Sequence, residues 1–343
     1  MSRSWIASLS AMLLLPATAF AGDLRQDANA IFSPVTAVAA QALVKGNDIT
    51  AAKVELGKKL FFDPRVSRSQ AISCNSCHNL GTGGVDAGPT SLGHAWARGG
   101  RRAPTVLNAV FNASQFWDGR SPDLHAQAKG PVQADVEMNN TPAVVEQLIK
   151  TTGYAAEFQK AFPGDSNPGT FDNFAKAIEA FEATLITPNS KFDKFLLGDA
   201  SALNDKETKG LRLFIDKGCA ACHSGVNLGG NSFHTFGAVA KPSAEILPVA
   251  DKGRHKVTGA AGDEYAFRVA PLRNVALRSP YFHSASVWTL EEAVDVMAKS
   301  QLGATLTPEE NGAIVAFLGA LTGDQPKVDY PVLPPRTKDA PRP

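Results

Sequence analysis

The chain has 343 residues, with 34 Lys and Arg against 33 Asp and Glu and a formal net charge of +1. A balance this even excludes the positive field that binding to nucleic acid or to an anionic membrane requires. Hydrophobic residues make up 44% of the chain and charged residues 20%, which excludes a disordered protein. The length predicts about two domains.

The first 21 residues have the pattern of a secretory signal peptide. Arg3 supplies the positive start, residues 6–15 are apolar, and small residues lie at Ala19 and Ala21. The apolar run is too short to cross a bilayer, which needs ~20 residues, and no later stretch is long enough. We therefore expect cleavage near Ala21, export from the cytoplasm and no membrane span.

All four cysteines belong to two C-x-x-C-H motifs, which start at Cys74 and Cys219. Two thiols one helical turn apart can each bond a haem vinyl group, and the adjoining histidine can bind the iron. A zinc site would need both cysteine pairs and would leave each histidine unexplained. We predict two covalent haem c groups, attached through Cys74, Cys77, Cys219 and Cys222, with His78 and His223 as axial iron ligands.

The chain contains an internal repeat. The segment 57–63 resembles 210–216, and we match Gln115–Gly119 with Pro280–Ser284. Apolar residues at helical spacing over 171–185 predict an amphipathic helix. The repeat predicts a mainly α protein with two cytochrome c-like haem domains, long loops and little β. We expect a first domain at 22–186, part of whose N-terminal segment packs on the other domain, a second at 187–325, and a Pro-rich tail at 326–343.

The two haem groups are expected to differ. Aligning Leu124 with Leu290 places Pro131 opposite Met297. A thioether ligand from Met297 would raise the reduction potential of the second haem, although a methionine on an amphipathic helix can also simply fill a core. The first iron either uses another ligand, for which His94 is the nearest candidate, or stays open. One reactive haem and one electron-storing haem together indicate a reductase or a peroxidase.

Several segments resemble the bacterial di-haem cytochrome c peroxidases, and the likeness runs over about residues 45–325. They are 74–80, 104–120, 127–140, 171–185 and 270–283, with Gln115–Arg120 and Gly130–Gln133 as the most specific motifs. The resemblance implies reduction of hydrogen peroxide to water in the periplasm with electrons from a small cytochrome c or a cupredoxin. It also implies a homodimer.

The same resemblance implies roles for individual residues. His78 would hold the low-potential, peroxidatic haem, and His94 would cap its iron in the oxidised resting state. Glu137 would be the distal acid–base residue with Gln127 beside it, because peroxide must lose a proton from one oxygen and gain one on the other. Trp117 would lie between the haems as an electron-transfer residue.

This chain departs from the family at an expected calcium site. Relatives commonly have Asn where this sequence has Arg102, and the other ligands would be backbone carbonyls at Arg278 and Pro280. A guanidinium cannot coordinate calcium. We therefore expect calcium to bind weakly or not at all, with Arg102 in its place.

Two other functions fit parts of the sequence. A non-catalytic di-haem electron carrier would have both irons six-coordinate, which His94 and Met297 would allow, but it would have no use for Glu137 or Gln127. The second is a relative that oxidises a partner protein. Such relatives have tyrosine in place of the methionine ligand, so Met297 argues against this function.

Overall fold

A computed structural model describes residues 23–343, and the expected signal peptide lies outside the described residues. The described part is mainly helical, as the sequence predicts. Its α-helices are α1 (Leu24–Ile31), α2 (Ala37–Leu43), α3 (Ala51–Phe62), α4 (Cys74–Cys77), α5 (Leu124–Gln133), α6 (Pro142–Lys150), α7 (Tyr154–Ala161), α8 (Phe171–Glu182), α9 (Lys191–Leu196), α10 (Asp205–Asp216), α11 (His255–Thr258), α12 (Leu290–Leu302) and α13 (Pro308–Gly319).

Strand structure is limited to a short pair within residues 23–343. Strand β1 (Phe233–Thr235) runs antiparallel to β2 (Ala266–Arg268). No helix in this range is both long enough and apolar enough to cross a membrane.

Two hydrophobic cores are built in the same way. In the first, α3 packs on α8, and in the second α10 packs on α13. Both helix pairs meet at a glycine: a Cβ on Gly57 would overlap the carbonyl oxygen of Ala177, and a Cβ on Gly210 would overlap that of Ala313. The two backbones can approach this closely only because glycine has no side chain. The predicted repeat is therefore visible in the packing of the helices.

The repeat also corrects one part of the sequence alignment. Asn108 and Asn274 both have φ near +60°, and Phe116 and Phe282 follow with φ of 67° and 69°. The sequence comparison pairs Gln115–Gly119 with Pro280–Ser284, but the structure pairs Phe116 with Phe282, which moves the second segment by one residue. Trp117 is therefore the counterpart of His283.

Both ends of the described chain pack against these cores. Ala28 and Phe32, at the N-terminal end, belong to the second core, where the Phe32 ring lies 5.4 Å from that of Phe192. The C-terminal segment lies along the first core instead. Tyr330 packs on Phe62 with ring centroids 5.4 Å apart, and further along, the Pro334 carbonyl accepts a hydrogen bond from Arg65.

Candidate active site

The first C-x-x-C-H motif forms the single turn α4. The backbone N–H of His78 donates to the Cys74 carbonyl at 2.9 Å, which fixes the imidazole next to the two thiols. Burial raises the pKa of both Cys74 and Cys77 and lowers that of His78. The His78 Nδ1 atom is buried without a hydrogen-bond partner. A buried neutral imidazole of this kind is suited to binding a metal.

The second motif begins with a 3₁₀ turn over Cys219–Ala221 and places its histidine in a similar way. The backbone N–H of His223 donates to the Cys219 carbonyl at 3.0 Å, and its Nδ1 lies 3.2 Å from the Leu228 carbonyl. Burial lowers the pKa of His223 to about 4, so the ring is neutral. A neutral ring that donates from Nδ1 leaves the Nε2 lone pair free for a metal.

Each motif opens onto its own cavity. The second cavity is strongly apolar and contains Cys219, Cys222 and His223 together with Met297 from α12. Because a thioether and a neutral imidazole line one cavity, the pair is suited to bind an iron as a His/Met pair.

The first cavity is more polar. Its lining includes Cys77, His78, Gln127, Glu137 and Pro131. Pro131 lies on α5 where Met297 lies on α12, so this cavity has no thioether at the equivalent position. Burial raises the pKa of Glu137, an effect that the positive charge of Arg120 partly offsets. The cavity therefore brings the predicted acid–base residue into the same space as the predicted proximal histidine.

His94 lies beside this cavity on a short hairpin. Its backbone N–H donates to the Glu137 carbonyl at 2.6 Å, and its Nδ1 is buried without a partner. The two residues that follow, Ala95 and Trp96, both have positive φ, 54° and 62°. Left-handed backbone in non-glycine residues is strained, and such strain is common where a segment switches between conformations.

Trp117 and His283 line both cavities. Their ring centroids lie 6.1 Å apart, and His283 also stacks on Phe267 at 4.2 Å. Burial lowers the pKa of His283 to about 4, which keeps the ring neutral. The sequence predicts a role for Trp117 but no definite role for His283. With the repeat aligned correctly the two residues are equivalent, and this equivalence is the sequence signal that points to His283.

The residues at the expected calcium site do not fit a divalent cation. The buried guanidinium of Arg102 donates to the carbonyls of Gly88 at 2.9 Å and Ser279 at 2.9 Å, and to that of Asp86 at 3.3 Å. Ser279 lies between Arg278 and Pro280, the two residues whose carbonyls the sequence predicts as calcium ligands.

Two motifs of this kind, each on its own cavity with buried neutral imidazoles, fit two haem groups and define a di-haem protein. Comparison with known proteins identifies the family. Residues 51–201 match the family model described as di-haem cytochrome c peroxidase. The chain belongs to this family, and it is a peroxidase, as the sequence predicted.

Individual relatives are similar to this chain over its whole length. The cytochrome c551 peroxidase of Pseudomonas aeruginosa is 54% identical over 346 aligned residues, which cover 100% of this chain and 99% of the relative. That of Nitrosomonas europaea is 45% identical over 99% of this chain and 98% of its own length. Among solved structures, a MauG-like protein associated with microbial copper homeostasis has a TM-score of 0.72 at 28% identity, over 85% of this chain and 93% of that one.

Proposed function

We propose that this protein reduces hydrogen peroxide to water in the periplasm, with electrons from a small cytochrome c or a cupredoxin. Each turnover consumes one peroxide, two protons and two electrons and forms two waters. The observation that carries this proposal is the inequality of the two cavities, one of which contains Glu137 and Gln127 and the other Met297. A simple electron carrier needs no carboxyl group in either cavity.

Two haem c groups, bound through Cys74, Cys77, Cys219 and Cys222, would supply the one-electron redox chemistry. His78 would hold the peroxidatic haem, and His223 with Met297 would hold the haem that receives electrons. Mass spectrometry of the denatured protein would test the covalent attachment, since two haems must remain bound to the chain.

Glu137 and Gln127 would handle the substrate. Glu137 accepts the proton from one peroxide oxygen and returns it to the other as the O–O bond breaks. The Gln127 amide orients the peroxide by hydrogen bonding. Their shared cavity with His78 supports this assignment.

His94 would control access of peroxide to the first cavity. With the hairpin closed, its imidazole blocks the peroxide position, and displacement of the hairpin opens it. Support comes from the consecutive left-handed residues Ala95 and Trp96, because backbone strain of this kind is common in segments that change conformation. Trp117 would carry electrons between the two cavities.

We also propose the predicted organisation: a signal peptide cleaved near Ala21, haem domains at 22–186 and 187–325, a tail at 326–343, and a homodimer. Calcium has no part in the proposed reaction. N-terminal sequencing of the exported protein tests the cleavage position, and sedimentation tests the dimer.

The decisive experiment is steady-state oxidation of reduced cytochrome c by peroxide. Glu137→Gln is expected to lower turnover by about 10²–10⁴-fold, the usual contribution of general acid–base catalysis. Asp135→Asn is the matched control, because Asp135 is an exposed acid in the same segment. Equal turnover in Glu137→Gln and wild type, with both haems attached, would overturn the acid–base assignment. A wild-type protein that exchanges electrons but never consumes peroxide would be a carrier.

A further inference from the structure

Arg102 lies where segments from both halves of the chain meet. Only 4% of its surface is exposed. Its backbone N–H donates to the His283 carbonyl at 2.8 Å, and its own carbonyl accepts a hydrogen bond from the Trp117 indole at 2.8 Å. The backbone of Arg102 is therefore bonded directly to both aromatic residues that separate the two cavities.

The guanidinium group of the same residue joins two distant segments. Asp86 and Gly88 lie in the loop that leads to the His94 hairpin, whereas Ser279 lies in the second half, 177 positions from Arg102. Three carbonyl oxygens thus converge on one positive charge. Converging oxygens of this kind are also the usual ligands of calcium.

The charges around this point exclude a divalent cation while arginine is present. Burial lowers the pKa of Arg102, and the negative charge of Asp86 opposes that effect. Burial, together with the smaller effects of the like charges of Arg102 and Arg268, lowers the pKa of neighbouring Arg278 to about 10. The Arg278 guanidinium donates to the carbonyls of Pro271 and Arg273, so it adds positive charge near this point without occupying it. A calcium ion here would have to displace the Arg102 guanidinium and would be repelled by Arg278 in a buried setting, where repulsion is strongest.

We propose that Arg102 is a positioning residue that takes the place of a metal ion between the two halves of the chain. Its guanidinium ties the Asp86–Gly88 loop to Ser279, and its backbone holds Trp117 in place, so that the enzyme assembles its electron path without calcium. This inference rests on the proposed function, because it assigns Arg102 to the path that feeds the peroxidatic cavity.

The test compares the wild-type holoenzyme with Arg102→Asn, Arg102→Lys and Arg68→Asn. Arg68 is exposed and lines neither cavity, which makes it a matched control. After chelation, each protein is titrated with calcium alone by calorimetry. Thermal unfolding and peroxide turnover are then measured in chelator and in calcium.

Wild type and Arg68→Asn are expected to bind no calcium stoichiometrically, and their stability and turnover should not change in chelator. Arg102→Asn supplies an amide oxygen next to the three carbonyls, so it should bind one calcium. In chelator we expect it to lose stability and roughly tenfold or more in turnover, and to recover both in calcium. Arg102→Lys keeps the positive charge, so its stability and turnover should lie between those of wild type and Arg102→Asn. Neither property should respond to calcium.

Stoichiometric calcium binding by wild type, with loss of turnover on chelation, would overturn the inference. The inference would also be overturned if Arg102→Asn matched wild type in calcium binding, stability and turnover. The same holds if calcium failed to restore the stability and turnover that Arg102→Asn loses in chelator. If Arg102→Asn does not fold, the calcium titration of wild type and the stability and turnover of Arg102→Lys test the inference. Failure of the proposed function is distinguishable, because wild type would then lack peroxide turnover while the calcium and unfolding results kept the expected pattern.

Discussion

Trp117 and His283 occupy equivalent positions in the two halves of the chain and lie edge to face, with ring centroids 6.1 Å apart. Each follows a phenylalanine with positive φ, and each lies within a turn closed by an antiparallel bridge, Gln115 to Ser121 and Tyr281 to Val287. Both rings line both cavities. A repeated turn has thus placed one aromatic residue from each half between the two candidate haem sites.

Replacement of Trp117 by Phe should slow electron delivery to the first cavity. Phe keeps an aromatic ring but cannot donate to the Arg102 carbonyl, so its position is no longer fixed. Because misplacement by about 1 Å can cost on the order of a hundredfold, we expect a fall of about tenfold to a hundredfold in peroxide turnover. Stopped-flow oxidation of the fully reduced protein measures this step.

The control for that variant is Trp288→Phe, because Trp288 is 58% exposed. It should react at the wild-type rate when the protein is reduced beforehand. An unchanged rate in Trp117→Phe would remove Trp117 from the electron path.

Replacement of Met297 by His should lower the reduction potential of one haem. A thioether ligand favours the reduced iron relative to a second imidazole, so the potential should fall by on the order of a hundred millivolts. Redox titration followed in the visible spectrum measures both potentials. Met138→Leu is the control, since Met138 is buried in the first core and the change conserves volume. Two unchanged potentials in Met297→His would show that Met297 only fills space.

Much of the site could be predicted because its chemistry is local in sequence. The C-x-x-C-H spacing predicts attachment and ligation within five residues, and the offset between the repeats places Pro131 against Met297. The repeat alignment failed by one residue at 280–284. Most side chains there differ between the halves, but the offset that matches Leu124 with Leu290 also pairs Phe116 with Phe282, and the positive φ shared by these two residues confirms that offset.

The partners of Arg102 could not be predicted for a different reason. The sequence shows that an arginine replaces an expected asparagine, but its three acceptors are backbone carbonyls, which every residue carries. One of them, on Ser279, comes from 177 positions away. Only the fold brings that carbonyl and those of Asp86 and Gly88 together.

The glycine at each helix crossing should be essential to the packing of its core. Gly210→Ala would place a methyl group against the Ala313 carbonyl and force α10 and α13 apart. Overpacking of this kind costs about 1–3 kcal/mol, and we expect at least that loss in denaturant unfolding of the holoprotein. Gly319→Ala, at the end of α13, meets no atom within 4 Å and should leave the unfolding free energy unchanged or slightly higher. Equal stability of Gly210→Ala and wild type would contradict the packing argument.

The stability of the protein should depend on pH through Glu182, a buried carboxyl group that lines the first cavity at the end of α8. Burial, with a smaller contribution from the like charge of Glu179, raises the pKa of Glu182 to about 8. In the unfolded chain the same group ionises near its ordinary value of 4.5. Between these two values the folded state binds the extra proton, so stability falls as pH rises, by up to about 1.4 kcal/mol per pH unit.

Glu182→Gln removes this proton linkage without changing the shape of the side chain. We expect its thermal midpoint to exceed that of wild type by an amount that grows from pH 5 to pH 8, measured on the holoprotein by differential scanning calorimetry. Glu309→Gln, at an exposed position on α13, is the control and should follow the wild-type curve. If the wild-type and Glu182→Gln curves stayed parallel across this range, Glu182 would have to be ionised in the folded protein. A positive charge in the cavity would then have to stabilise the carboxylate, because Glu179, its charged neighbour in the chain, can only oppose ionisation.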